Sequence, residues 1–266
     1  MKVSAIIPAR YRSIRFEGKP LADILGKPMI QHVYERVCRS KLVSEVIVAT
    51  DDRRIYEVIR AFGGRVVMTA SSHPSGTDRI AEVARKLKSE IVVNVQGDEP
   101  LIEGTVIDKA IRPLLTDKAL MMSTVITKLK DPKDWLNPNI VKVVTDKKGN
   151  TLYFSRAPIP FPREFNSRRL SANFLKAQQR MPEGIYKHIG IYAYRRKFLI
   201  KYSKMKPTRL ESLEKLEQLR ALENGYRIKA VAVNYNPVSV DTPEDLQRVI
   251  GFLSSSRPRP RKNTNL

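Results

Sequence analysis

Apolar positions along the chain recur with two different periods, and the two alternate. Residues 3–7 form a short, nearly continuous apolar run, as expected of a strand buried on both faces. Over residues 28–39, Met29, Ile30, Val33, Tyr34, Val37 and Cys38 fall on one helical face, and Pro28 suits a first helical position. The pattern then predicts a strand over 46–49, a helix over 53–62 ended by Gly63-Gly64, and a strand over 65–68. A helix over 77–88 has Ile80, Val83, Ala84 and Leu87 inward, and is followed by a strand over 91–95 and a helix over 104–115. Apolar strands alternating with amphipathic helices argue for a parallel sheet covered on both faces. In such sheets ligands bind beyond the carboxyl ends of the strands. The loops over 8–19 and 96–100 are therefore the first places to look for chemistry.

The second half is less regular. Residues 120–128, 140–145 and 151–155 predict strands, with DKKGN at 146–150 as a hairpin turn between the last two. Residues 157–183 are proline-bearing and loop-like. A strand over 186–194, a long helix over 209–223 stopped by Asn224-Gly225, and a strand over 227–233 follow. The last helix, 242–253, has Thr242 as N-cap and Pro243 in its first turn. There is no internal repeat.

Composition narrows the class. With 266 residues, 42% hydrophobic and 29% charged, the chain is of ordinary globular make-up, long enough for a substantial core. No apolar run approaches the ~18–20 residues that span a bilayer, and the apolar run near the N-terminus is too short for a signal peptide. The single cysteine, Cys38, makes no internal disulfide, and with three histidines it argues against a Cys/His zinc site. The expectation is a soluble, cytoplasmic protein. The net charge of +22 is unusual, and it brings nucleic acid, acidic membrane surfaces and acidic small substrates into consideration. Residues 156–207 hold thirteen Lys/Arg against two acids, and 254–266 hold four Lys/Arg and no acid. Most of this charge exceeds what one active site uses. No standard DNA- or RNA-binding motif accompanies it, which argues against a nucleic-acid partner.

The first loop, PARYRSIRFEGKPL at 8–21, places Arg10, Arg12, Arg15 and Lys19 just past a strand. A triphosphate needs such fixed positive charge and many donors. Neither GxxxxGK[ST] nor GxGxxG is present, and on charge alone the loop reads equally as a solvated basic segment. The second loop is NVQGDEP at 94–100. Its Asp98 is placed to hold Mg²⁺ against phosphate oxygens, or is an acidic turn before Pro100. Asp241, in VDTPED, is a third acidic position, which the dipole of the following helix also favours. In HPSGTDR at 73–79, Ser75 or Thr77 either caps the next helix or belongs to a base-recognition loop. On the helix predicted over 209–223, Glu211, Glu214 and Gln218 share a face with Glu217 beside them, next to a stripe of Leu210, Leu213, Leu216 and Leu219. That polar face is a solvated surface or a site for sugar hydroxyls.

These segments occur in one order with ATD at 49–51, NPNxVKVV at 137–144, YFSRAPIP at 153–160, HxGIYAY at 188–194, LExLEQLR at 213–220 and VDTPEDL at 240–246. The ordered set resembles the 3-deoxy-manno-octulosonate (Kdo) cytidylyltransferases over residues 2–252. The resemblance implies a nucleotide-diphospho-sugar transferase α/β fold, with a mixed, mainly parallel sheet flanked by helices. It implies one domain over 1–253, with a small β-rich lobe over about 130–193 that makes a homodimer contact, and a basic flexible tail over 254–266. The implied reaction is CTP + Kdo → CMP-Kdo + pyrophosphate, with Mg²⁺ as cofactor, in lipopolysaccharide biosynthesis and without membrane insertion. Carried over position by position, Arg10, Arg15 and Lys19 hold the triphosphate and act with Asp98 in catalysis. His73, Ser75 and Gln96, with backbone groups of Pro8 and Ala9, line the cytidine pocket. Asp98 and Asp241 hold Mg²⁺. Arg156, His188, Tyr192, Glu211, Glu214 and Gln218 form the sugar side, with Arg156 on the sugar carboxylate. The chain departs from the family at Ile14, where Thr is usual, and at Phe16-Glu17, where Leu-Pro is usual. A related acidic sugar, an 8-amino Kdo analogue or a nonulosonic acid, stays open as the acceptor.

Overall fold

The computed structural model describes residues 1–13, 15–163 and 183–255. In chain order the elements begin with β1 (Val3–Ala9), β2 (Asp23–Ile24), β3 (Lys27–Pro28), α1 (Met29–Val37), β4 (Glu45–Thr50), α2 (Arg53–Ala61) and β5 (Val66–Met68). Then come α3 (Gly76–Arg85), β6 (Ile91–Asn94), α4 (Gly104–Thr116), β7 (Met122–Lys128), α5 (Pro132–Leu136), β8 (Lys142–Thr145) and β9 (Thr151–Ser155). The chain continues through β10 (Tyr186–Arg195), α6 (Arg196–Tyr202), α7 (Arg209–Glu214), α8 (Leu219–Glu223), β11 (Ile228–Val233) and α9 (Pro243–Ser255).

One nine-stranded sheet organises these elements, in the order β11-β7-β10-β6-β1-β4-β5, with β8 on β10 and β9 on β8. β1 pairs in parallel with β4 and β6, and β11 with β7. β10 runs antiparallel to both β6 and β7, which makes the sheet mixed but mainly parallel. Alternation along β1 feeds two cores. Val3, Ala5, Ile7 and Ala9 face Ile30 and Val33 of α1 and Val106 and Ile111 of α4. Ile6 faces Ile80 and Val83 of α3 on the other side. A third, smaller cluster joins Ile24, Met29, Leu101, Val240, Leu246 and Val249, with Phe16 packed against it. It fastens α9 and the segment before it beside the loop that follows β6.

The β1-to-β6 pattern expected from sequence is present, with ends differing by up to three residues, the largest at the end of α3, which stops at Arg85 rather than at 88. Pro28 caps α1 rather than opening it. The hairpin turn at 146–150 forms, with the Asp146 amide donating to the Asn150 carbonyl at 2.8 Å and Gly149 at φ 75°. The β8–β9 hairpin extends the main sheet through β10 rather than forming a sheet of its own. The helix expected over 209–223 is broken. Lys215 adopts a left-handed conformation at φ 53°, ends α7, and separates it from α8. Leu213 of the expected apolar stripe is 70% exposed, while Leu216 and Leu219 are buried. α9 runs to Ser255 and so takes in the first two residues of the expected tail over 254–266, and residues 256–266 lie outside the described residues, as do Ile14 and 164–182 of the expected loop.

The α1–β4 connection depends on a buried carboxylate. Asp108 of α4 accepts from the Ser40 hydroxyl at 2.5 Å and from the Lys41 and Leu42 amides at 3.2 and 3.1 Å. Asp108→Ala leaves these donors without their acceptor and should lower unfolding stability by about 2–3 kcal/mol. Leu213→Ala, at an exposed position, should change it by less than about 0.5 kcal/mol. Urea midpoints measure both, and equal shifts would remove the bracing role of Asp108.

Candidate active site

The parallel strands β1 and β6 end side by side, so the loops after them emerge together. They line a cavity of about 290 Å³ with Pro8, Ala9, Arg10, Arg12, Ser13, Lys19, Ser75, Gln96, Gly97 and Asp98 on its wall. Two glycines make the approach possible. Gly18 sits at φ 69° and donates its amide to the Tyr11 carbonyl at 2.9 Å, closing the first loop so that Lys19 turns inward. A Cβ on Gly97 would lie 3.0 Å from the Pro8 carbonyl, so the second loop lies almost against the end of β1. Arg10 donates to the His73 carbonyl at 2.6 Å, and burial beside Arg79 lowers its pKa. Arg54 lies over the Tyr11 ring at 3.2 Å. Glu17 is exposed, and its charge acts on Arg54.

Lys19 is the junction of the site. Its Nζ donates to Asp98 Oδ2 at 2.8 Å and to Asp241 Oδ1 at 3.4 Å, and Arg15 reaches the same Asp241 oxygen at 3.1 Å. Two aspartates far apart in sequence thus meet on one ammonium. The Val240 amide donates to the Asp98 carbonyl at 2.9 Å, which locks the two backbones together. Among the described residues no group of three or more His, Cys, Asp or Glu side chains is gathered as a metal cage. Two hard carboxylate donors suit Mg²⁺ only when substrate oxygens and water complete the shell.

A second constellation forms where β8, β9 and β10 meet α7. Arg156 donates its Nε to the Glu214 carbonyl at 2.7 Å, Nη1 to the Pro138 carbonyl at 2.9 Å and Nη2 to the Lys215 carbonyl at 3.4 Å. The Glu214 carboxylate accepts from the Ser155 hydroxyl at 2.6 Å and the Arg156 amide at 2.9 Å. The kink at Lys215 exposes the carbonyls that Arg156 takes, which a continuous helix would have used internally. Lys142 is fully buried, and its Nζ donates to the carbonyls of Asn137, Ile140 and Arg156 at 2.8, 2.6 and 2.5 Å. Burial, and next the neighbouring Arg156, lower its pKa to about 8.

His188 is half-buried and hydrogen-bonded through Nε2 to Thr124 Oγ1 at 2.9 Å, and desolvation of its ring drives its pKa to about 3, so the ring is neutral. Its ring centroid is 5.0 Å from that of Tyr192. The Tyr192 hydroxyl is buried with no hydrogen-bond partner among the described residues. An unpaired buried hydroxyl asks for a ligand or water. Gln96 joins the two constellations, donating to the Gly190 carbonyl at 3.2 Å.

Comparison with known proteins gives the family. The Cytidylyltransferase family model matches residues 4–228. A 3-deoxy-manno-octulosonate cytidylyltransferase of Geotalea uraniireducens (strain Rf4) is 56% identical over 259 residues, covering 94% of this chain and 98% of the relative. One from Geobacter metallireducens (strain ATCC 53774 / DSM 7210 / GS-15) is 55% identical over 256 residues, covering 96% and 98%. The chain belongs to the 3-deoxy-manno-octulosonate cytidylyltransferase family. A solved structure of CMP:2-keto-3-deoxy-manno-octonic acid synthetase complexed with CTP superposes with a TM-score of 0.86 at 41% identity, over 97% of this chain and 100% of that one.

The candidate residues of this cytidylyltransferase fall into three sets. Arg10, Lys19, Ser75, Gln96 and Asp98, with Pro8 and Ala9, line one cavity, and Arg15 and Asp241 reach it through Lys19 and each other. In the second, Arg156 and Glu214 bond to each other, while His188 packs on Tyr192 of its own strand and on Phe154 of β9. The remaining three are placed differently. His73 turns its ring to Glu82 and offers only its carbonyl to Arg10. Glu211 caps α7 and pairs both oxygens with Arg220, at 2.5 and 2.8 Å. Gln218 is buried at the start of α8, so it does not share a continuous helical face with Glu211 and Glu214. Ser75 lines the cavity and also caps α3, accepting from the Asp78 amide at 3.2 Å.

Sequence reasoning passed over the residues that hold these in place. Arg79, fully buried, pairs with Asp51 at 2.9 Å and so links ATD to HPSGTDR. Glu217 accepts from Thr77 at 3.0 Å, tying the start of α3 to the α7–α8 segment. Lys142 is the least foreseeable, because a lysine on a strand ordinarily reads as solvated.

Lys142 generates a signed prediction. Its folded pKa near 8 lies below the unfolded value near 10.5, so between those pH values the unfolded chain binds more protons. Stability should therefore rise through that window by on the order of 2 kcal/mol. Urea midpoints at pH 7.5, 9 and 10 should show this slope in the wild-type protein and not in Lys142→Met. Equal slopes in both proteins would contradict the buried-ammonium assignment.

Proposed function

We infer that the chain transfers the cytidylyl group of CTP to the anomeric hydroxyl of Kdo and releases pyrophosphate. The observation that carries this reading is the meeting of Asp98 and Asp241 on Lys19, at a cavity also lined by Arg10, Arg12 and Gln96. The motif order and the relatives' names support Kdo as the acceptor. In the reaction the sugar oxygen bonds to the α-phosphorus, the bond from the α-phosphorus to the bridging oxygen breaks, and the hydroxyl proton is lost. Such a transfer needs positioning and charge neutralisation more than covalent help from the protein.

Arg10, Arg15 and Lys19 supply fixed positive charge for the triphosphate. Lys19 pairs with both aspartates, and it would be released to phosphate oxygens if those aspartates held a cation. Asp98 and Asp241 would hold Mg²⁺, which would supply charge neutralisation at the reacting phosphate. Gln96, Ser75 and the backbone at Pro8 and Ala9 frame the cytidine. Arg156 uses three of its five N–H donors on carbonyls, so two remain for a carboxylate. The Tyr192 hydroxyl and neutral His188 face the sugar as hydrogen-bonding groups. A homodimer, expected from the family resemblance, and a cytoplasmic location belong to the same reading.

Pyrophosphate release from CTP, Mg²⁺ and Kdo tests it. Turnover is expected with Kdo, and a kcat/KM at least tenfold higher for a nonulosonic acid or an 8-amino analogue would move the acceptor to that sugar. Asp98→Ala should lower kcat by about a hundredfold or more with an unchanged melting temperature. Arg156→Lys should raise KM for the sugar about tenfold and leave KM for CTP unchanged. A matching rise in both KM values would take Arg156 off the sugar carboxylate.

A further inference from the structure

At the other end of the sheet lies a cavity that the transfer reaction does not use. β7 runs in the same direction as β6, because β10 is antiparallel to both, and β11 runs with β7. The amino ends of β7 and β11 are therefore opposite the carboxyl ends that carry Asp98. There the second half of α4, Leu120, the β8–β9 turn and the start of β11 enclose about 480 Å³, against about 290 Å³ for the nucleotide cavity.

The wall is built, and it is cationic. The β8–β9 turn is fastened to β11 by the Ala230 amide on the Gly149 carbonyl at 2.9 Å, and by Lys229 donating to the Lys148 carbonyl. Lys109, Arg112, Lys148, Arg227 and Lys229 line the cavity against a single acid, Asp117. Asp117 is engaged by Arg227 at 3.5 Å. Among the described residues the side chains of Lys109, Arg112 and Lys148 make no hydrogen bond or ion pair. The carbonyl end of α4 accounts for cations on α4 itself. It does not account for those from the hairpin turn and β11. Like charges converging in a concavity focus positive potential and raise the local concentration of anions. Pro113 and Val231 add apolar wall for the uncharged part of a ligand.

We propose that this cavity is a second ligand site, and that it takes a small phosphate-bearing anion. Cations from α4, the β8–β9 turn and β11 converge on one concavity of about 480 Å³, which favours a compact ligand over a polymer. The position, a sheet's length from the nucleotide cavity, makes it separable from catalysis by mutation.

The test is a calorimetric titration of the full-length protein with inorganic pyrophosphate, which also enters the catalytic pocket as product. Wild type should bind two equivalents. The Lys109→Glu/Arg112→Glu double variant should bind one, with the second affinity lowered at least tenfold and kcat within twofold of wild type. The Lys19→Met variant should keep the distal equivalent, so failure of the catalytic assignment and failure of this one give different patterns. One equivalent in wild type, or two in the double variant, overturns the proposal. If charge reversal lowers the melting temperature, Lys109→Gln/Arg112→Gln replaces it, with at least a threefold loss expected and no loss contradicting the site. A single-stranded RNA oligonucleotide that binds through these residues a hundredfold more tightly than pyrophosphate, with a steep salt dependence, would overturn the small-ligand assignment.

Discussion

Two carboxylates brought together in a cleft repel one another, and Lys19 offsets that repulsion between Asp98 and Asp241. Much of the architecture serves this meeting. β1 and β6 must be adjacent and parallel so that their loops leave together. Gly18 must be left-handed for Lys19 to turn back, and Gly97 must lack a side chain for its loop to reach Pro8. Asp241 arrives last in the chain, and the small apolar cluster of Ile24, Leu101, Val240 and Leu246 pins it. Phe16 packs on that cluster, so the departure from the family's usual residues at this point contributes packing beside Asp98 and Asp241.

The region proposed for the sugar is built on a different principle. Its two cations, Lys142 and Arg156, are satisfied mainly by backbone carbonyls rather than by carboxylates. The Glu214 carboxylate supplies one negative charge beside these two cations, so a net positive charge is left, which suits recognition of a sugar acid. The cost is visible in the depressed pKa of Lys142. Carbonyls from loops, a strand end and the kink at Lys215 all converge on these cations, so the surrounding backbone is ordered by the same groups that hold the charge. Gln96, bonded to the Gly190 carbonyl, connects this region to the nucleotide loops.

The alternation of β1 through β6 with its helices was legible because each element shows its own period. Lys19, Asp98 and Asp241 were legible as motif members, and sheet topology explains why they meet. The break at Lys215 was not legible: ESLEKLEQ contains no glycine or proline, and local propensity favours helix throughout. Arg156, reaching in from a distant segment, takes the Glu214 and Lys215 carbonyls, and this tertiary contact overrides propensity. Glu211 and Gln218 were assigned to one polar face on that unbroken helix, and the kink is why they part. Tyr192 and His188 alternate on a strand and look like ordinary inward aromatics. Only the unpaired hydroxyl of Tyr192 distinguishes it, and pairing is not visible in a sequence.

The account turns on Asp98 and Asp241 acting as one cation site completed by the nucleotide. Electron paramagnetic resonance of Mn²⁺ titrated into the protein with CTP reads that site directly. One tightly held ion per chain is expected in the presence of CTP and weak binding in its absence, with Asp241→Asn lowering the affinity at least tenfold. Equal Mn²⁺ affinity with and without CTP, or affinity untouched by Asp241→Asn, would contradict it.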